Sequence, residues 1–311
     1  IAPATGAPRP SPGCAAGTPV PAEAEVRTVK VGDTDREYRL ALPPTARPDQ
    51  PLPLVLDLHG LGMNRDQQAF MSSWDRIAAV QPVAVVQPNG LNGLWNIEPT
   101  ETNPDMAFIR RIVETVGGRH CLDLSRVYAD GTSMGAILAS ILACRASDMV
   151  AAVGVVACIQ WKPECEPAPP RPLVVVWGRK DCVLPFYGGL GPCLAVGPPG
   201  RFVPTEPLPA DKNMGFPPVE EVVGAWAAHN GCTPIGEKQH SENVVFRRFR
   251  SCTNQAIVDF YIVDGGGHAW PGNQTFANGD KGDNNGRGIT TMELDATATL
   301  WDFFQRFQVT A

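Results

Sequence analysis

The sequence contains few charged side chains and no cluster of basic ones. Asp, Glu, Lys and Arg make up 19% of its 311 residues, and the formal net charge is −6. A protein that binds nucleic acid or an anionic membrane surface usually carries a positively charged patch. The composition therefore disfavours both kinds of partner, and we expect neither.

Long apolar runs are also absent. The longest covers about nine residues, 151–159, whereas a helix that crosses a bilayer needs about 20. Hydrophobic residues still make up 43% of the chain, which is ample for a core and argues against disorder. A chain of this length suits one large α/β domain.

The nine cysteines show neither a C-x-x-C pair nor the Cys and His spacing of a zinc site. We therefore expect no metal and interpret them as disulfide partners in an oxidising compartment. The chain begins at Ile1 without Met or a charged-then-apolar leader, so we expect a secreted protein whose signal peptide has been removed. Because nine is odd, at least one thiol is free, pairs between molecules or lies in a mobile segment.

Residues 1–22 are rich in Pro, Gly and Ala and have no periodicity. This composition predicts an N-terminal tail, for which Cys14 is a candidate anchor. The rest of the chain, 23–311, is predicted to form a single domain.

Predicted strands and helices alternate along that domain. The apolar run LVLDL at 54–58 is typical of a strand buried on both faces of a parallel sheet. The alternation predicts a doubly wound, mostly parallel sheet with helices on both faces. The predicted strands are 25–31, 37–41, 54–58, 83–87, 126–130, 150–156, 173–177 and 257–263, and the predicted helices are 66–80, 104–117, 134–146, 219–229 and 290–307.

The segment Gly131-Thr132-Ser133-Met134-Gly135 lies between a predicted strand and a predicted helix. A G-x-S-x-G pattern in that position is typical of a sharp turn that exposes a nucleophilic serine at the carboxyl end of a sheet. The alternative is an ordinary glycine-rich turn with an incidental serine. We favour Ser133 as a nucleophile.

A catalytic serine needs a base, and in this arrangement the base follows it in the chain. Three histidines follow Ser133. His229 lies in a predicted helix and His240 in a polar stretch, whereas His268 lies in a glycine-rich loop after the last predicted strand. We predict that His268 is the base, so activity should fall at acidic pH, where imidazole is protonated.

The base in turn needs a carboxylate to orient it. Asp181 follows the predicted strand LVVVW and is the preferred acid, with Asp264 and Asp148 as more distant candidates. A turn-forming or helix-capping aspartate is the alternative interpretation of Asp181.

An acyl-transfer site also needs donors for the oxyanion. We predict the backbone N–H groups of Met134, directly after the nucleophile, and of Leu61, in the loop after LVLDL. His59 in that loop is expected to support it at the edge of the substrate site. Trp95 and Trp270 lie in polar loops and are predicted to line the substrate pocket, although core packing is the alternative.

Together, the segments LVLDLHGLG, PNGLNGLWN, RVYADGTSMG, WGRKDCVLPF, NGC and GGGHAWPG resemble the secreted esterase and depolymerase branch of the α/β hydrolases. That branch includes feruloyl and acetylxylan esterases and poly(3-hydroxybutyrate) depolymerases. The resemblance covers roughly residues 25–305. It implies the α/β-hydrolase fold and a secreted serine carboxylesterase with Ser133, Asp181 and His268 at the matching positions, and no cofactor or metal.

The cysteine spacing and the resemblance together favour a disulfide between Cys232 and Cys252, which closes a loop between a helix end and the last predicted strand. Sequence alone leaves the other pairings open. In falling order of preference they are Cys121 with Cys144, Cys158 with Cys165, and Cys182 with Cys193, which leaves Cys14 unpaired.

Acidic and amide side chains crowd one loop, at Asn278, Asp280, Asp283 and Asn284. Their spacing is not that of a twelve-residue calcium loop, so turn formation is the preferred interpretation and calcium the alternative.

These inferences predict a monomeric, secreted serine carboxylesterase. Its substrates would be feruloyl or acetyl esters of polysaccharides, or hydroxyalkanoate polyesters and their oligomers. Two other functions stay open: an acyltransferase that uses the same acyl-enzyme, and a non-catalytic binding protein built on a hydrolase scaffold.

Overall fold

The computed structural model describes residues 4–21, 23–100, 102–160, 168–195, 216–274 and 288–309. Within them, ten strands form one sheet. The strands are β1 (Glu25–Val31), β2 (Thr34–Ala41), β3 (Leu52–Leu58), β4 (Ala84–Pro88), β5 (Leu122–Thr132), β6 (Val150–Val156), β7 (Leu173–Gly178), β8 (Thr233–Ser241), β9 (Val244–Arg250) and β10 (Val258–Val263).

The spatial order of the strands is β1-β2-β4-β3-β5-β6-β7-β10-β9-β8. The six central strands, from β4 to β10 in that order, are parallel to their neighbours. Antiparallel pairs extend the sheet at both edges. The prediction of a mostly parallel, doubly wound sheet is confirmed, and all eight predicted strands are present.

Six helices of at least five residues connect or follow these strands in the described part of the chain. They are α1 (Arg65–Ser72), α2 (Trp74–Ala78), α3 (Pro104–Arg119), α4 (Met134–Arg145), α5 (Val219–His229) and α6 (Ala296–Phe304). The single helix predicted at 66–80 is two helices, because Ser73 adopts a left-handed conformation with φ 54°. The helix predicted at 290–307 begins only at Ala296, where the Asp295 side chain caps it.

Side chains alternate between the two faces of the sheet, and each face is covered by helices. Leu54, Leu56 and Leu58 of β3 pack on the face covered by α3, α4 and α5. Val55 packs on the opposite face, against residues of α1, α2 and α6. Because β3 is buried along its whole length, the loop that follows it is held at a defined place at the carboxyl edge of the sheet.

Strands β8 and β9, which form a hairpin at one edge of the sheet, were not predicted from the sequence. Eight of the nine β8 residues are exposed, so this edge strand has no buried face and no hydrophobic alternation from which to predict it.

Three disulfides are present in the described part of the chain. Cys232–Cys252 and Cys182–Cys193 are confirmed. The predicted Cys121–Cys144 pair is wrong, since Cys121 is bonded to Cys14, while Cys144 takes part in a different disulfide. The predicted Cys158–Cys165 pair is also wrong: Cys158 is a free, buried thiol in the core, and Cys165 lies outside the described residues.

The N-terminal segment is bound to the amino edge of the sheet. Ser11 donates its backbone N–H to the Leu122 carbonyl at 2.8 Å and its hydroxyl to the His120 carbonyl at 2.9 Å. With the Cys14–Cys121 disulfide, these bonds hold residues 11–14 across the start of β5. Residues 4–21 therefore include an attached strap as well as exposed tail.

The Cys14–Cys121 disulfide is expected to contribute strongly to stability, because its cysteines are 107 residues apart, against 11 for Cys182–Cys193. In the chain-entropy model these loops correspond to about 5 and about 3 kcal/mol. Denaturant unfolding of Cys14→Ala/Cys121→Ala should therefore show the larger loss, with Cys182→Ala/Cys193→Ala as the matched control. Equal losses in the two double variants would contradict this expectation.

Candidate active site

Ser133 lies in the sharp turn between β5 and α4. Its backbone has φ 53° and ψ −121°, and its N–H donates to the Val156 carbonyl on the neighbouring strand at 2.9 Å. A side-chain-bearing residue adopts such a conformation only where tertiary contacts hold it there. This is the strained strand-to-helix geometry that presents a serine hydroxyl above the carboxyl edge of a sheet.

The two glycines of the motif lie where β5 and α4 meet the end of β3. A Cβ atom on Gly131 would lie 2.5 Å from the carbonyl carbon of Gly135 and 2.8 Å from the Leu58 oxygen. A Cβ on Gly135 would lie 2.2 Å from the Leu58 oxygen and 2.6 Å from the His59 oxygen. Both contacts are with backbone, which has no alternative rotamer, so the turn requires glycine at both positions.

Gly135→Ala is therefore expected to lower the free energy of unfolding by more than about 3 kcal/mol or to prevent folding, because β3 and α4 would have to separate. The control is Gly224→Ala in the middle of α5, where a Cβ meets nothing within 4 Å. That change should stabilise the protein by about 0.5–1 kcal/mol through helix propensity. Thermal unfolding of both variants tests the contrast, and a Gly135→Ala protein as stable as the parent would contradict it.

Asp181 and His268 come together at the carboxyl ends of β7 and β10. These strands are parallel neighbours with Gly178 opposite Val263, so the loops that follow them start side by side. The Oδ2 atom of Asp181 lies 2.8 Å from Nδ1 of His268. The other oxygen, Oδ1, accepts the backbone N–H groups of Val183 and Leu184, both at 2.8 Å.

The strand register relates this pair to Ser133. Thr132 of β5 is opposite Val156 of β6, which is opposite Val176 of β7. Ser133 therefore leaves the sheet at the same level as the loops that carry Asp181 and His268, two strands away from β7. At the ordinary spacing between strands this separation is about 10 Å.

The loop after β3 lies directly beside the Ser133 turn. A Cβ on Gly60 would lie 3.5 Å from Cβ of Ser133. Gly62 donates its N–H to the Gly93 carbonyl at 2.8 Å, which ties the loop to the next one along the edge. Within the described residues, the N–H groups of Leu61 and Met134 donate to no protein acceptor, so both predicted oxyanion donors are available to a ligand.

His59 is fully buried beneath that loop and is held by both ring nitrogens. Its Nε2 accepts the Gly90 N–H at 2.8 Å, so its Nδ1 carries the proton and donates to the Gly60 carbonyl at 2.8 Å. Burial lowers the pKa of His59 to about 4, and the ring is neutral at pH 7. These contacts give His59 a structural task and leave it no surface for a substrate.

Neither tryptophan expected in the substrate pocket faces it. Trp95 is 3% exposed and donates its indole N–H to the His59 carbonyl at 2.8 Å, and Trp270 is 1% exposed and donates to Thr297 Oγ1 at 2.9 Å. Both rings are therefore packed in the interior, which favours core packing, the alternative interpretation. Their loops are polar in sequence, but the rings turn inward because a buried acceptor satisfies each indole N–H.

A buried ion pair behind the loop at 89–96 was missed by the sequence reasoning. Arg36 donates to Asp105 Oδ1 at 2.6 Å and to the Asn89 carbonyl at 3.3 Å, and the other Asp105 oxygen accepts the Asn96 N–H at 2.6 Å. The pair thus fixes the loop that contains Gly90, the partner of His59. Sequence spacing gives no sign of this pair, because Arg36 and Asp105 are 69 residues apart.

Several apolar side chains are exposed on the loops at this edge of the sheet. Leu91 and Leu94 follow β4, Tyr187 follows β7, and Ile289 lies on the segment whose carbonyl accepts the Gly267 N–H. All four are at least 44% exposed. They are candidates for contact with the apolar part of a substrate.

In the described ranges, no group of three or more His, Cys, Asp or Glu side chains is arranged to hold a metal ion. Over the same ranges no helix is both long enough and apolar enough to cross a membrane. The alternative calcium loop at Asp280 and Asp283 lies outside the described residues.

A parallel sheet with helices on both faces and a strained serine turn after a central strand defines the α/β-hydrolase fold. The acetyl xylan esterase from Aspergillus awamori has the same fold, with a TM-score of 0.57 over 81% of this chain and 97% of that one, at 14% sequence identity. Residues 36–166 match the family described as Esterase PHB depolymerase. The match includes His59–Gly62 and Ser133 and ends before Asp181 and His268.

Curated relatives extend this similarity along the chain. The putative esterase NocK of Nocardia uniformis subsp. tsuyamanensis is 30% identical over 259 residues, which cover 79% of this chain and 74% of that protein. The feruloyl esterase B of Piromyces equi is 28% identical over 232 residues, covering 71% of this chain but only 40% of the relative's length. The chain belongs to the Esterase PHB depolymerase family.

Proposed function

We propose that this protein hydrolyses carboxylic esters through an acyl-enzyme on Ser133, with His268 as the general base and Asp181 as the residue that orients it. The observation that carries the proposal is the 2.8 Å contact between Asp181 and His268 at the same edge of the sheet as the strained Ser133 turn. A binding protein on this scaffold would need neither the strained serine nor the oriented imidazole.

The first chemical step is attack by the Ser133 hydroxyl on the ester carbonyl carbon. Asp181 Oδ2 accepts the Nδ1–H of His268, which leaves Nε2 unprotonated and able to take the serine proton as the new C–O bond forms. The carboxylate stabilises the resulting imidazolium and does not take the proton itself. Its second oxygen is held by two backbone N–H groups, so the carboxylate cannot rotate away from the ring.

The negative charge on the carbonyl oxygen is assigned to the N–H groups of Leu61 and Met134, which have no protein acceptor in the described residues. Collapse of the tetrahedral intermediate breaks the bond to the alcohol oxygen, and His268 donates its proton to that oxygen. Water then attacks the acyl-enzyme by the same route and releases the acid and free Ser133. This series of reaction steps balances in atoms and charge without a cofactor.

The substrates we propose are feruloyl or acetyl esters of polysaccharides, or hydroxyalkanoate polyesters and their oligomers. The names of the relatives, feruloyl esterase and acetyl xylan esterase, support the first class, and the family description supports the second. The exposed Leu91, Leu94 and Tyr187 offer an apolar surface for the acyl or alcohol group. The disulfides among the described residues favour an extracellular location, and the monomeric state remains a prediction.

The test is hydrolysis of p-nitrophenyl esters from acetate to octanoate by the intact protein, with release of p-nitrophenol followed by absorbance. We expect turnover, with a preference among chain lengths that reports the size of the acyl site. The same assay with methyl ferulate and with 3-hydroxybutyrate oligomers distinguishes the two substrate classes. A properly folded protein that is inert toward every ester would overturn the proposal in favour of the binding function.

A further inference from the structure

Two aspartates lie side by side in the middle of the sheet. Asp57 of β3 and Asp130 of β5 are direct neighbours in the parallel register, and both are 0% exposed. Their carboxyl groups are within hydrogen-bonding reach of each other. Neither takes part in the ester hydrolysis described above, and buried carboxyl groups of this kind are rare without a cationic partner.

Neutral donors surround Asp57. Its Oδ1 accepts from Gln68 Nε2 at 2.5 Å, and its Oδ2 accepts from the Ser72 hydroxyl at 2.6 Å and from Gln87 Nε2 at 3.2 Å. Three donors to one carboxyl group favour its ionised form.

Asp130 accepts fewer hydrogen bonds than Asp57. Its Oδ2 accepts the Trp74 indole N–H at 2.8 Å, and its Oδ1 has no donor among the residues that the structure describes. A protonated Oδ1 would donate to Asp57 and satisfy this buried oxygen, whereas an ionised one would remain unpaired beside another carboxylate.

No cation is hydrogen-bonded to the pair in the part of the chain that the structure describes. Among the described residues, no Lys, Arg or His side chain donates a hydrogen bond to either carboxyl group. The elements packed on them contribute Gln68 and Ser72 from α1, Trp74 from α2 and Gln87 from β4. The cation Arg39 contacts the pair only indirectly, because it donates a hydrogen bond to Gln87 Oε1. Arg39 itself forms an ion pair with Asp75 at the surface.

Electrostatics requires that one of the two groups be neutral. Two adjacent carboxylates in a buried site without a cation cannot both ionise near neutral pH. Burial raises the pKa of Asp57 to about 6 and, together with the charge of Asp57, raises that of Asp130 well above its usual range. Because Asp57 accepts three hydrogen bonds and Asp130 only one, Asp130 is the group that keeps the proton.

We propose that Asp57 and Asp130 share one proton at neutral pH and form a positioning pair that holds the loops of the active site relative to one another. Asp57 is two residues before His59 and four before the oxyanion donor Leu61, and Asp130 is three before Ser133. The O–H···O bond thus joins the strand that carries the oxyanion loop to the strand that carries the nucleophile.

The histidine loop is connected to the same pair. Trp270, two residues after His268, donates to Thr297 Oγ1 at 2.9 Å, and Thr297 donates to the Ser72 carbonyl. The hydroxyl of Ser72 in turn donates to Asp57. The positioning role rests on the proposed function, whereas the shared proton does not and is tested independently of activity.

Infrared spectroscopy tests the proton directly. The intact protein at pH 7 should show the carbonyl band of a protonated carboxylic acid, and Asp130→Asn, which is nearly isosteric, should lose it. Asp302→Asn, a change at an exposed aspartate, should keep the band. An intact protein without this band at pH 7 would overturn the shared proton.

The pH dependence of unfolding provides a second readout. Above about pH 6 the folded pair retains one proton that the unfolded chain has released, since free Asp titrates near 4. Folding then takes up a proton, and the folding constant falls about tenfold per pH unit. Asp130→Asn removes this uptake, so its folding constant relative to the parent should rise about tenfold per unit between about pH 6 and 8. Parallel pH profiles would contradict the proposal.

The positioning role is tested by kcat and KM for a p-nitrophenyl ester. Asp130→Ala removes the bond between the strands and should lower kcat by about tenfold to a hundredfold with KM little changed. Asp130→Asn, whose amide still donates to Asp57, should recover most of kcat. A folded Asp130→Ala protein with the parent's kcat would refute the positioning role and leave the infrared result to decide the shared proton.

Discussion

Ser133→Ala is expected to lower kcat for ester hydrolysis by about 10⁵-fold to 10⁶-fold, with little change in KM. Without the hydroxyl no acyl-enzyme forms, and only the oxyanion donors and substrate binding contribute to the residual rate. The fold should be retained, because alanine keeps the Cβ atom that the backbone at φ 53° already accommodates.

The matched control for this variant is Ser147→Ala, which removes a hydroxyl from a half-buried serine after α4 and should stay within about twofold of the parent. Initial rates with p-nitrophenyl butyrate and active-site titration of the acyl-enzyme burst provide the measurement. A Ser133→Ala protein with the parent's rate would eliminate the nucleophile and the mechanism built on it.

Asp181→Asn is expected to reduce kcat by about 10³-fold to 10⁴-fold without unfolding the protein. The backbone N–H groups of Val183 and Leu184 both donate to Oδ1, so the amide oxygen of an asparagine will occupy that position. Its NH₂ group then points at Nδ1 of His268. Two donors cannot face each other, and the imidazole must adopt the tautomer with the proton on Nε2, which cannot accept the serine proton.

Asp264→Asn and Asp148→Asn distinguish this effect from a general loss of charge. Asp264 pairs with Arg179 at 2.7 Å and is 44% exposed in its side chain, and Asp148 pairs with Arg110 at the surface. Because neither carboxylate is bonded to His268, both variants should keep kcat within about threefold of the parent. The assignment of Asp181 fails if Asp264→Asn produces the larger loss. The solvent kinetic isotope effect on kcat and the pH dependence of kcat, both measured for Asp181→Asn, add a readout specific to the altered tautomer.

Local sequence patterns predicted most of the strands and helices, because the formation of these elements depends mainly on residues that are close together in the chain. The run LVLDL is a strand buried on both faces, and Asn103 and Pro104 begin α3. The same patterns failed where a strand has no hydrophobic periodicity, and where an apolar side chain in a polar loop is buried. The exposed β8 strand was missed, and the polar loops around Trp95 and Trp270 concealed indoles that face inward.

The cysteines and aspartates show a different limit. Cys14 and Cys121 are 107 residues apart, so their pairing depends on the path of the chain between them. The spacing of cysteines in the sequence does not specify that path. In the sequence, Asp57 and Asp130 lie within two separate predicted strands, 54–58 and 126–130. Only the register that places them opposite each other gives them a shared chemistry.

By itself, the sequence determined the alternation of strands and helices, the serine turn with its two obligatory glycines, and the chain order of the three proposed catalytic residues. The alternation and the serine turn follow from steric and hydrophobic preferences over a few residues, and the chain order can be read directly from the sequence. The tertiary structure decided which of the candidate carboxylates meets His268, 87 residues from Asp181. It also decided which polar groups are buried and paired. Hydrogen bonds and charge interactions act over a few ångströms in space, so distant positions in the chain acquire them only when the sheet brings their loops to one edge.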